Sequence, residues 1–529
     1  MEGTVEDALQ RYFGFAEFRP HQREIVQAVL SGKSALGVLP TSAGKSICYQ
    51  LPALLLPGKT LVISPLISLM RDQVTALERH GIPAVSITSH DPPEVVEAKI
   101  ETIRRSERLI VYAAPERLWQ REFLDACRHT RWSLLAIDEA HCISQWGHDF
   151  RPHYRLIPYF RETIGSPPVL ALTATATQLV QEDIAAELQV PLERFIAPMD
   201  RPNIGFGVVL LPDEADRRSW VSGFLRLIEG PVIAYTSSRR EAEEWAWYLA
   251  EQGESTVAYH AGMDPELRTQ AQEAFMEGQV RIVVATSAFG MGIDKRNVRA
   301  ILHLGVPDSI EAYVQEAGRA GRDGEPALAI AAIVLRPDVQ QRAHLLRLSE
   351  VDEEWARAKL ETARTVAPGT PWHMAAYALE EERARILVTH LAERRLLEPH
   401  HGRDPWHTVT LTRPVTSEDV DAVLESLRGW RAARHENFER MQAYLTTSGC
   451  RRRALLSHFG QSIEIHPRPC CDTCHGHWWS SPTGAPPPAP VHIPESERGQ
   501  FCPKHGTLLV PTAGDPPHCR VCHREAAGG

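Results

Sequence analysis

The chain has 529 residues, of which 43% are hydrophobic and 23% charged, and 57 Lys plus Arg against 67 Asp plus Glu give a net charge of −10. This is an ordinary globular balance with material for large cores, and at roughly 150 residues per domain it suggests three or four domains. The acidic excess excludes a histone-like coat of positive charge, although a local basic groove can still neutralise phosphates. The longest apolar run, Ala327–Leu335, falls far short of the ~20 residues a bilayer span needs and reads as a buried strand. Glu2, Glu6 and Asp7 open the chain with no basic start ahead of an apolar stretch, so no signal peptide is expected, and a soluble intracellular protein follows. Three cysteines (Cys48, Cys127, Cys142) lie far apart, and seven crowd between Cys450 and Cys522. In a reducing compartment such clustering points to metal more than to disulfides.

In chain order, short apolar runs first alternate with amphipathic stretches. Thr60–Ser64, Leu134–Asp138, Val169–Thr173, Val232–Thr236 and Arg281–Thr286 are such runs, each ending in a small or polar residue. They fit parallel strands buried on both faces and joined by crossover helices, with nucleotide chemistry at the carboxyl ends of the strands. Two α/β lobes are predicted, residues 1–206 and 207–345, with Asp200-Arg-Pro-Asn-Ile204 as a candidate hinge between them. Residues 346–416 turn helical: Glu380–Leu397 has helical spacing, a polar turn follows at His400–Asp404, and Trp406–Thr412 alternates. Helix then ribbon reads either as a winged-helix unit or as a helical connector with a hairpin. Helices continue through a basic segment at Arg451, Arg452 and Arg453 in a module spanning 417–479. A proline-rich tether occupies 480–500, and a compact cysteine-rich tail 501–529.

The most informative stretch is Leu36-Gly-Val-Leu-Pro-Thr-Ser-Ala-Gly-Lys-Ser46, a strand running into a small-residue loop ahead of an apolar helix. Backbone N–H groups in such a loop, here Thr41, Ser42, Ala43 and Gly44, cradle phosphates with a helix N-terminus behind them. Lys45 is then placed to reach the β and γ phosphates and Ser46 to hold Mg²⁺. Leu39 stands where the usual first glycine of this pattern would be. About ninety residues on, Asp138-Glu139-Ala140-His141 ends another buried strand. Asp138 suits a hold on Mg²⁺, and Glu139 suits the base that orients and deprotonates an attacking water. Further on, Gln315-Glu-Ala-Gly-Arg-Ala-Gly-Arg-Asp-Gly324 sets Arg319 and Arg322 three apart on one helix face. Charge spreading over γ-phosphoryl oxygens needs such a cation, a contribution of about 10³–10⁵ in rate. Each part alone has a plain alternative: an accidental loop, an exposed acidic strand end, a solvated arginine pair. Together, in this order, they favour an ATP-hydrolysing motor.

With these parts in place the chain resembles the RecQ helicases of superfamily 2, over about Tyr12–Arg336 and again over Cys450–Cys474. Tyr12-Phe-Gly-Phe-Ala-Glu-Phe-Arg-Pro-His-Gln22 looks like the family's adenine-recognition motif. The resemblance implies that Gln22 reads the base edge, Phe15 stacks on it and Arg19 assists. Leu61–Met70 is similar to motif Ia, Leu172–Thr177 to motif III, and Ala285–Asp294 to motif V, from which Asp294 is carried over as an ATP-site residue. The latter part of Asp138–Pro152, DEAHCISQWGHDFRP, resembles the aromatic-rich loop that distinguishes RecQ enzymes from other helicases. There Trp146, His148, Phe150 and Arg151 directly follow the carboxylates. Rings stack on bases at ~1–3 kcal/mol each and arginine holds phosphate, so this loop is expected to report strand occupancy to the active site. The alternative for Trp146 or Phe150 is a place in the core. Ser42 occupies a position usually glycine in the family and adds a Cβ to a crowded loop. Nucleotide binding is expected to survive, with the rate exposed to the change.

Nineteen residues separate Cys450 from Cys470-Cys-Asp-Thr-Cys474. Four thiolates supply a closed tetrahedral Zn²⁺ site, structural because no position is left for water. The resemblance implies the RecQ zinc module with ligands Cys450, Cys470, Cys471 and Cys474. The adjacent pair departs from the even spacing of many relatives, which leaves His466, His475 or His477 as a replacement ligand. A second set, Cys502 and His505, then thirteen residues, then Cys519 and Cys522, reads as a small zinc ribbon or as a disordered tail with chance cysteines. Residues 351–445 are largely lacking in typical members, which puts the duplex-separating element in doubt.

These readings combine into an α/β protein: two RecA-like parallel-sheet lobes, a helical and winged-helix-like region, a helical zinc-binding module and a C-terminal zinc ribbon. The resemblance implies an ATP-dependent DNA helicase that moves 3′ to 5′ on single-stranded DNA and serves recombination and repair. It implies ATP, Mg²⁺ and Zn²⁺ as cofactors and single-stranded and partly duplex DNA as partners. A monomer in the cytoplasm, with the chromosomal DNA and no membrane contact, is expected, and the ribbon is a candidate site for a protein partner. Two other classes fit part of the pattern. One is an ATP-driven translocase that does not unwind, or that prefers RNA; the other is a non-catalytic binding protein with a degenerate motor, which only Ser42 supports.

Overall fold

The computed structural model describes all residues except 1–3, 42, 89–90, 145, 148–150, 291–294, 375–377, 399–407, 464–469, 477–509, 513–514 and 519–529. The chain divides into two compact units, residues 1–198 with 349–433, and 199–348 with 434–529. Among the described residues no helix is long and apolar enough to cross a membrane.

In the first unit seven strands, β1 (Ala35–Val38), β2 (Lys59–Ile63), β3 (Ala84–Ile87), β4 (Ile110–Ala113), β5 (Trp132–Ile137), β6 (Val169–Thr173) and β7 (Glu193–Ile196), form a parallel sheet. Their order is β3-β4-β2-β5-β6-β1-β7. β1, β2, β4 and β6 are buried along their whole length, as crossover helices on both faces require. Only the edge strand β7, with Glu193 and Arg194, is exposed. The second unit repeats the scheme with β8 (Ile204–Leu210), β9 (Val232–Tyr235), β10 (Thr256–Tyr259), β11 (Ile282–Ala285), β12 (Ala300–His303) and β13 (Ala327–Ile333), ordered β10-β11-β9-β12-β13-β8. All neighbours in it are parallel. The five apolar runs of the sequence are β2, β5, β6, β9 and β11, and the longest run is β13, so the predicted pair of parallel-sheet lobes is present.

Residues beyond 348 attach to both units. In the first, Leu360, Leu387, Leu391, Val423 and Leu424 build a second core around Trp119 and Leu156. Here the ribbon strand β15 (Thr408–Thr410) pairs antiparallel with β14 (Pro371–His373), which precedes the helix Ala378–Glu393. Leu397, just after that helix, bridges to Leu411. The ribbon therefore draws a strand from each side of the helix, because Trp372, Val409 and Leu411 must all turn inward onto it. Arg155 ties this region down through ion pairs to Glu187 and, at 3.6 Å, to Glu393.

In the second unit the cysteine segment lies along the sheet edge. Phe206 N donates to Cys470 O at 3.2 Å, and Val208 N to Asp472 Oδ2 at 3.3 Å, so the outer side of β8 is paired. In the tail, β16 (Val510–Thr512) and β17 (Asp515–His518) form an antiparallel pair. Cys502, His505, Cys519 and Cys522, the candidate second zinc set, lie outside the described residues.

Candidate active site and zinc centre

The loop after β1 ends in Gly44, whose φ of +73° is one that a side chain disfavours. A Cβ there would also lie 2.7 Å from Gln22 Nε2. Ser46 then opens the apolar helix Ile47–Leu55, so the loop's N–H groups and the helix N-terminus share one end. Gln22, 4% exposed, spends its carboxamide on this loop: Nε2 donates to Ala43 O and Gly44 O, both at 2.9 Å, and Oε1 accepts from Arg19 N at 2.9 Å. Reading a base edge requires release of some of these bonds. Phe15 is 52% exposed and Arg19 is exposed beside it. Ser42 and Asp294 lie outside the described residues.

Asp138 and Glu139 follow β5 into the same end of the sheet, and Lys45 Nζ lies 3.6 Å from Glu139 Oε1. Glu139 has a φ of 47°, a left-handed backbone that costs a non-glycine residue about 1–3 kcal/mol and persists only when its surroundings dictate it. Those surroundings are visible. Glu139 N donates to Asp138 Oδ1 at 3.1 Å, and His141 Nδ1 lies 3.4 Å from Glu139 Oε2 and 2.9 Å from Thr173 Oγ1. Ser64 Oγ donates to Asp138 Oδ2 at 3.4 Å, and Tyr154 OH to Asp138 O at 3.0 Å. Burial, then the neighbouring Glu139 charge, pushes the Asp138 carboxyl up to about 6, while Lys45 opposes the rise. A buried acid pair facing the Lys45 ammonium has room for a further cation, and the hard oxygens of Asp138 and Ser46 suit Mg²⁺. His141 and Thr173, which tie the Asp138–Glu139 turn to β6, were not singled out from sequence. The only trace they leave there is their place inside the DEAH and LTATAT runs.

The aromatic-rich loop leaves this turn directly. Ser144 Oγ donates to Asp183 Oδ2 at 2.6 Å and accepts from Trp146 N at 3.2 Å. Trp146 is half-buried, and Arg151 Nη1 donates to Pro65 O at 3.1 Å in the stretch similar to motif Ia. A Cβ on Gly147 would lie 2.2 Å from His141 O, so the loop closes on the catalytic turn with no room for a side chain. His148 and Phe150 lie outside the described residues.

In the second unit Arg319 and Arg322 do not share a helix face as the spacing predicted, because the helix Ile310–Ala317 ends before both and they lie in the turn that follows. Arg319 is 5% exposed, and its Nη1 donates to Gly290 O within the segment similar to motif V. Arg322 is half-buried in the turn beyond the helix Ile310–Ala317. The thiols of Cys450, Cys470, Cys471 and Cys474 lie within 4.8 Å of one another. Cys450 Sγ is 3.7 Å from Cys470 Sγ and 3.9 Å from Cys471 Sγ. Tetrahedral ligands at about 2.3 Å from zinc sit about 3.8 Å apart, so the set fits the ion. Burial raises the Cys470 thiol to about 12, whereas at Cys471 hydrogen bonds from Thr473 and the backbone outweigh burial and lower the thiol to about 7, so the Cys470 thiolate in particular needs a cation. His475 Nδ1 instead accepts from Cys470 N at 3.3 Å; His466 and His477 lie outside the described residues.

Residues 19–183 match the DEAD/DEAH box helicase family, 218–324 the helicase conserved C-terminal domain and 419–475 the RecQ zinc-binding family. A Bacillus subtilis relative described as "Probable ATP-dependent DNA helicase RecS" is 33% identical over 89% of this chain and 92% of its own length. An "ATP-dependent DNA helicase RecQ" of Synechocystis is 33% identical over 89% of this chain and 98% of its own. Among solved structures, Mycobacterium smegmatis helicase Lhr bound to ssDNA and AMP-PNP aligns with a TM-score of 0.53 at 21% identity, covering 82% of this chain and 61% of that one, a likeness of fold.

Because Asp138 is raised, the folded state holds its proton more tightly than the unfolded chain does. The stability this confers is complete below the ordinary value of 3.8 and is lost as pH rises through about 6. Asp138→Asn is therefore expected to stabilise the nucleotide-free, magnesium-free protein at neutral pH by on the order of 1–3 kcal/mol, with the gap closing below about pH 4. Chemical denaturation across that range checks it; equal stability at neutral pH would contradict the burial argument. Cys450→Ser is expected to lower bound zinc by about one equivalent per chain, read by elemental analysis of the purified protein. An unchanged content would remove this cysteine as a ligand.

Proposed function

The chain belongs to the RecQ family of ATP-dependent DNA helicases, and from that premise we propose how its own residues perform the work. Lys45 and the N–H groups of Thr41 to Gly44 hold the β and γ phosphates, and Phe15 stacks on the base. Ser46 and Asp138 hold Mg²⁺, which when bound neutralises charge on the phosphate oxygens. Glu139 orients the attacking water and takes its proton. Its left-handed backbone and the His141 contact fix the carboxylate in advance, which lowers the reorganisation left for the reaction. Arg322, supplied by the second lobe on closure, meets the developing charge, and Arg319 braces the segment similar to motif V. The observation that carries this reading is the 3.6 Å approach of Lys45 to Glu139. It supports one hydrolytic site built from two loops about ninety residues apart.

Trp146, with His148, Phe150 and Arg151, contacts single-stranded DNA and couples its presence to Glu139 through the Ser144–Gly147 turn. The family premise supports 3′-to-5′ movement on single-stranded and partly duplex DNA, in recombination and repair, in the cytoplasm with the chromosome. The protein acts as a monomer, and the tail ribbon holds a second zinc ion through Cys502, His505, Cys519 and Cys522 and offers a docking point for a protein partner.

Lys45→Ala or Glu139→Gln is expected to lower DNA-stimulated ATP turnover at least about 100-fold while the far-ultraviolet dichroism stays that of the parent. Turnover near the parent's in either variant would remove the assignment. A strand-separation assay on tailed DNA and RNA duplexes distinguishes unwinding from translocation alone. Trp146→Ala is expected to raise the single-stranded DNA concentration needed for half-maximal stimulation about fivefold or more. Gly147→Ala should do the same without touching a ring, because the added Cβ cannot fit against His141 O. Unchanged stimulation in both would show that this loop does not couple DNA to hydrolysis.

A further inference from the structure

The turn that carries Arg322 follows the helix Ile310–Ala317, whose last carbonyls lack intrahelical partners. Arg201 meets the carbonyls of the turn that follows: Nη1 donates to Gly318 O at 3.0 Å, and Nη2 to Ala320 O at 3.1 Å and Gly321 O at 2.8 Å. Asn203 Nδ2 adds bonds to Gly321 O at 2.8 Å and Glu325 O at 2.9 Å. Gly321, with a φ of +54°, admits this approach; a Cβ on it would stand 2.5 Å from Asn203 Nδ2. The segment between Asp200 and Ile204, which the sequence suggests as a hinge, thus grips the arginine turn from both ends.

The grip is itself held by the zinc module. Arg452 is 1% exposed and donates from Nη1 to the Asp200 carboxylate and, at 3.0 Å, to Arg201 O, and from Nη2 to Ile204 O. Its guanidinium lies 5.1 Å above the Phe206 ring. It sits in the helix Arg451–His458, whose N-cap is Cys450, and the preceding Arg451 pairs with Asp472, between Cys471 and Cys474. At the other end of that helix His458 Nε2 lies 2.6 Å from Glu311 Oε1, at the start of the helix that leads to the turn.

We propose that Arg201 and Arg452 are positioning residues for hydrolysis: Arg452 fixes residues 200–204 from the zinc module, and Arg201 fixes the turn that presents Arg322. The inference rests on the reading of Arg322 as the cation that meets the γ-phosphoryl charge. Without Arg201 the Gly318 and Ala320 carbonyls lose this donor, Gly321 O keeps only Asn203 and Gly324 N, and the turn can shift; a displacement of about 1 Å at a reacting group costs on the order of 10²-fold in rate. Such a loss falls on turnover, because the nucleotide is gripped by Lys45 and its loop.

The test is steady-state ATPase kinetics on the full chain with saturating single-stranded DNA, alongside zinc content and thermal midpoint. Arg201→Gln is expected to lower kcat about tenfold or more with KM for ATP changed less than about threefold and zinc unchanged. Arg201→Lys, which keeps the charge and part of the hydrogen bonding, should recover part of kcat, and Arg452→Lys should show a smaller loss of the same kind. A kcat for Arg201→Gln within about twofold of the parent, or a loss that tracks lost zinc or a lowered midpoint, overturns the proposal. Arg322→Ala in the same assay separates the two ideas. If it keeps turnover, the reading of Arg322 fails and the clamp with it; if it loses turnover while Arg201→Gln does not, the clamp alone fails.

Discussion

Asp138 and Glu139 bring two carboxylates into the interior of the first unit, where the Lys45 ammonium lies beside them. Left without a second cation this arrangement is costly, since burial penalises each charge and each penalises the other. Much of the surrounding structure can be understood as containment of that charge. Ser64 and the Glu139 N–H donate to the Asp138 carboxylate and Tyr154 holds its main-chain carbonyl, while His141 spans from Glu139 to Thr173 on the neighbouring strand. The aromatic-rich loop begins only a few residues later, with Ser144 bonded to Trp146 N and Gly147 closed against His141 O, so it is continuous with the residues that hold the acids.

The residues that meet at Lys45 and Glu139, and the four clustered thiols, were legible because each sits in a short contiguous run whose chemistry depends on local spacing. A loop of small residues before Lys45, a strand ending in Asp138 and Glu139, and paired cysteines at 470, 471 and 474 announce themselves without knowledge of the fold. The parallel strands were legible for the same reason, since burial on both faces leaves unbroken apolar runs. Contacts between side chains and distant carbonyls leave no such trace. Arg201 and Asn203 look like turn residues in the sequence, and only the return of the chain near residue 320 reveals five bonds to its backbone. Gln22 is similar: its position was evident, but its bonding to Ala43 and Gly44 was not. The attachment of residues 351–430 was equally hidden, because the apolar pattern of Leu387 and Leu391 says that they are buried and not that Trp119 and Leu156 lie opposite.

Both units use the residues beyond 348 in the same physical way, as supports for a turn of the candidate site. Arg155 lies one residue after Tyr154, which donates to Asp138, and pairs with Glu393 in the helical region. Arg452 lies two residues after a zinc ligand and holds the segment that grips the arginine turn. In each case a buried or half-buried arginine links an accessory module to a turn of the candidate site, a task its planar fork suits better than a lysine ammonium.

The pairing of Cys470 and Asp472 with the outer side of β8 has a further meaning for the life of the protein. A strand at the margin of a sheet is adhesive, and here a metal-dependent knot is what caps it. Chelation or oxidation of those thiols would uncover a ready template for another copy's backbone, so loss of the ion should lead this chain toward self-association and precipitation sooner than toward a clean, reversible melt.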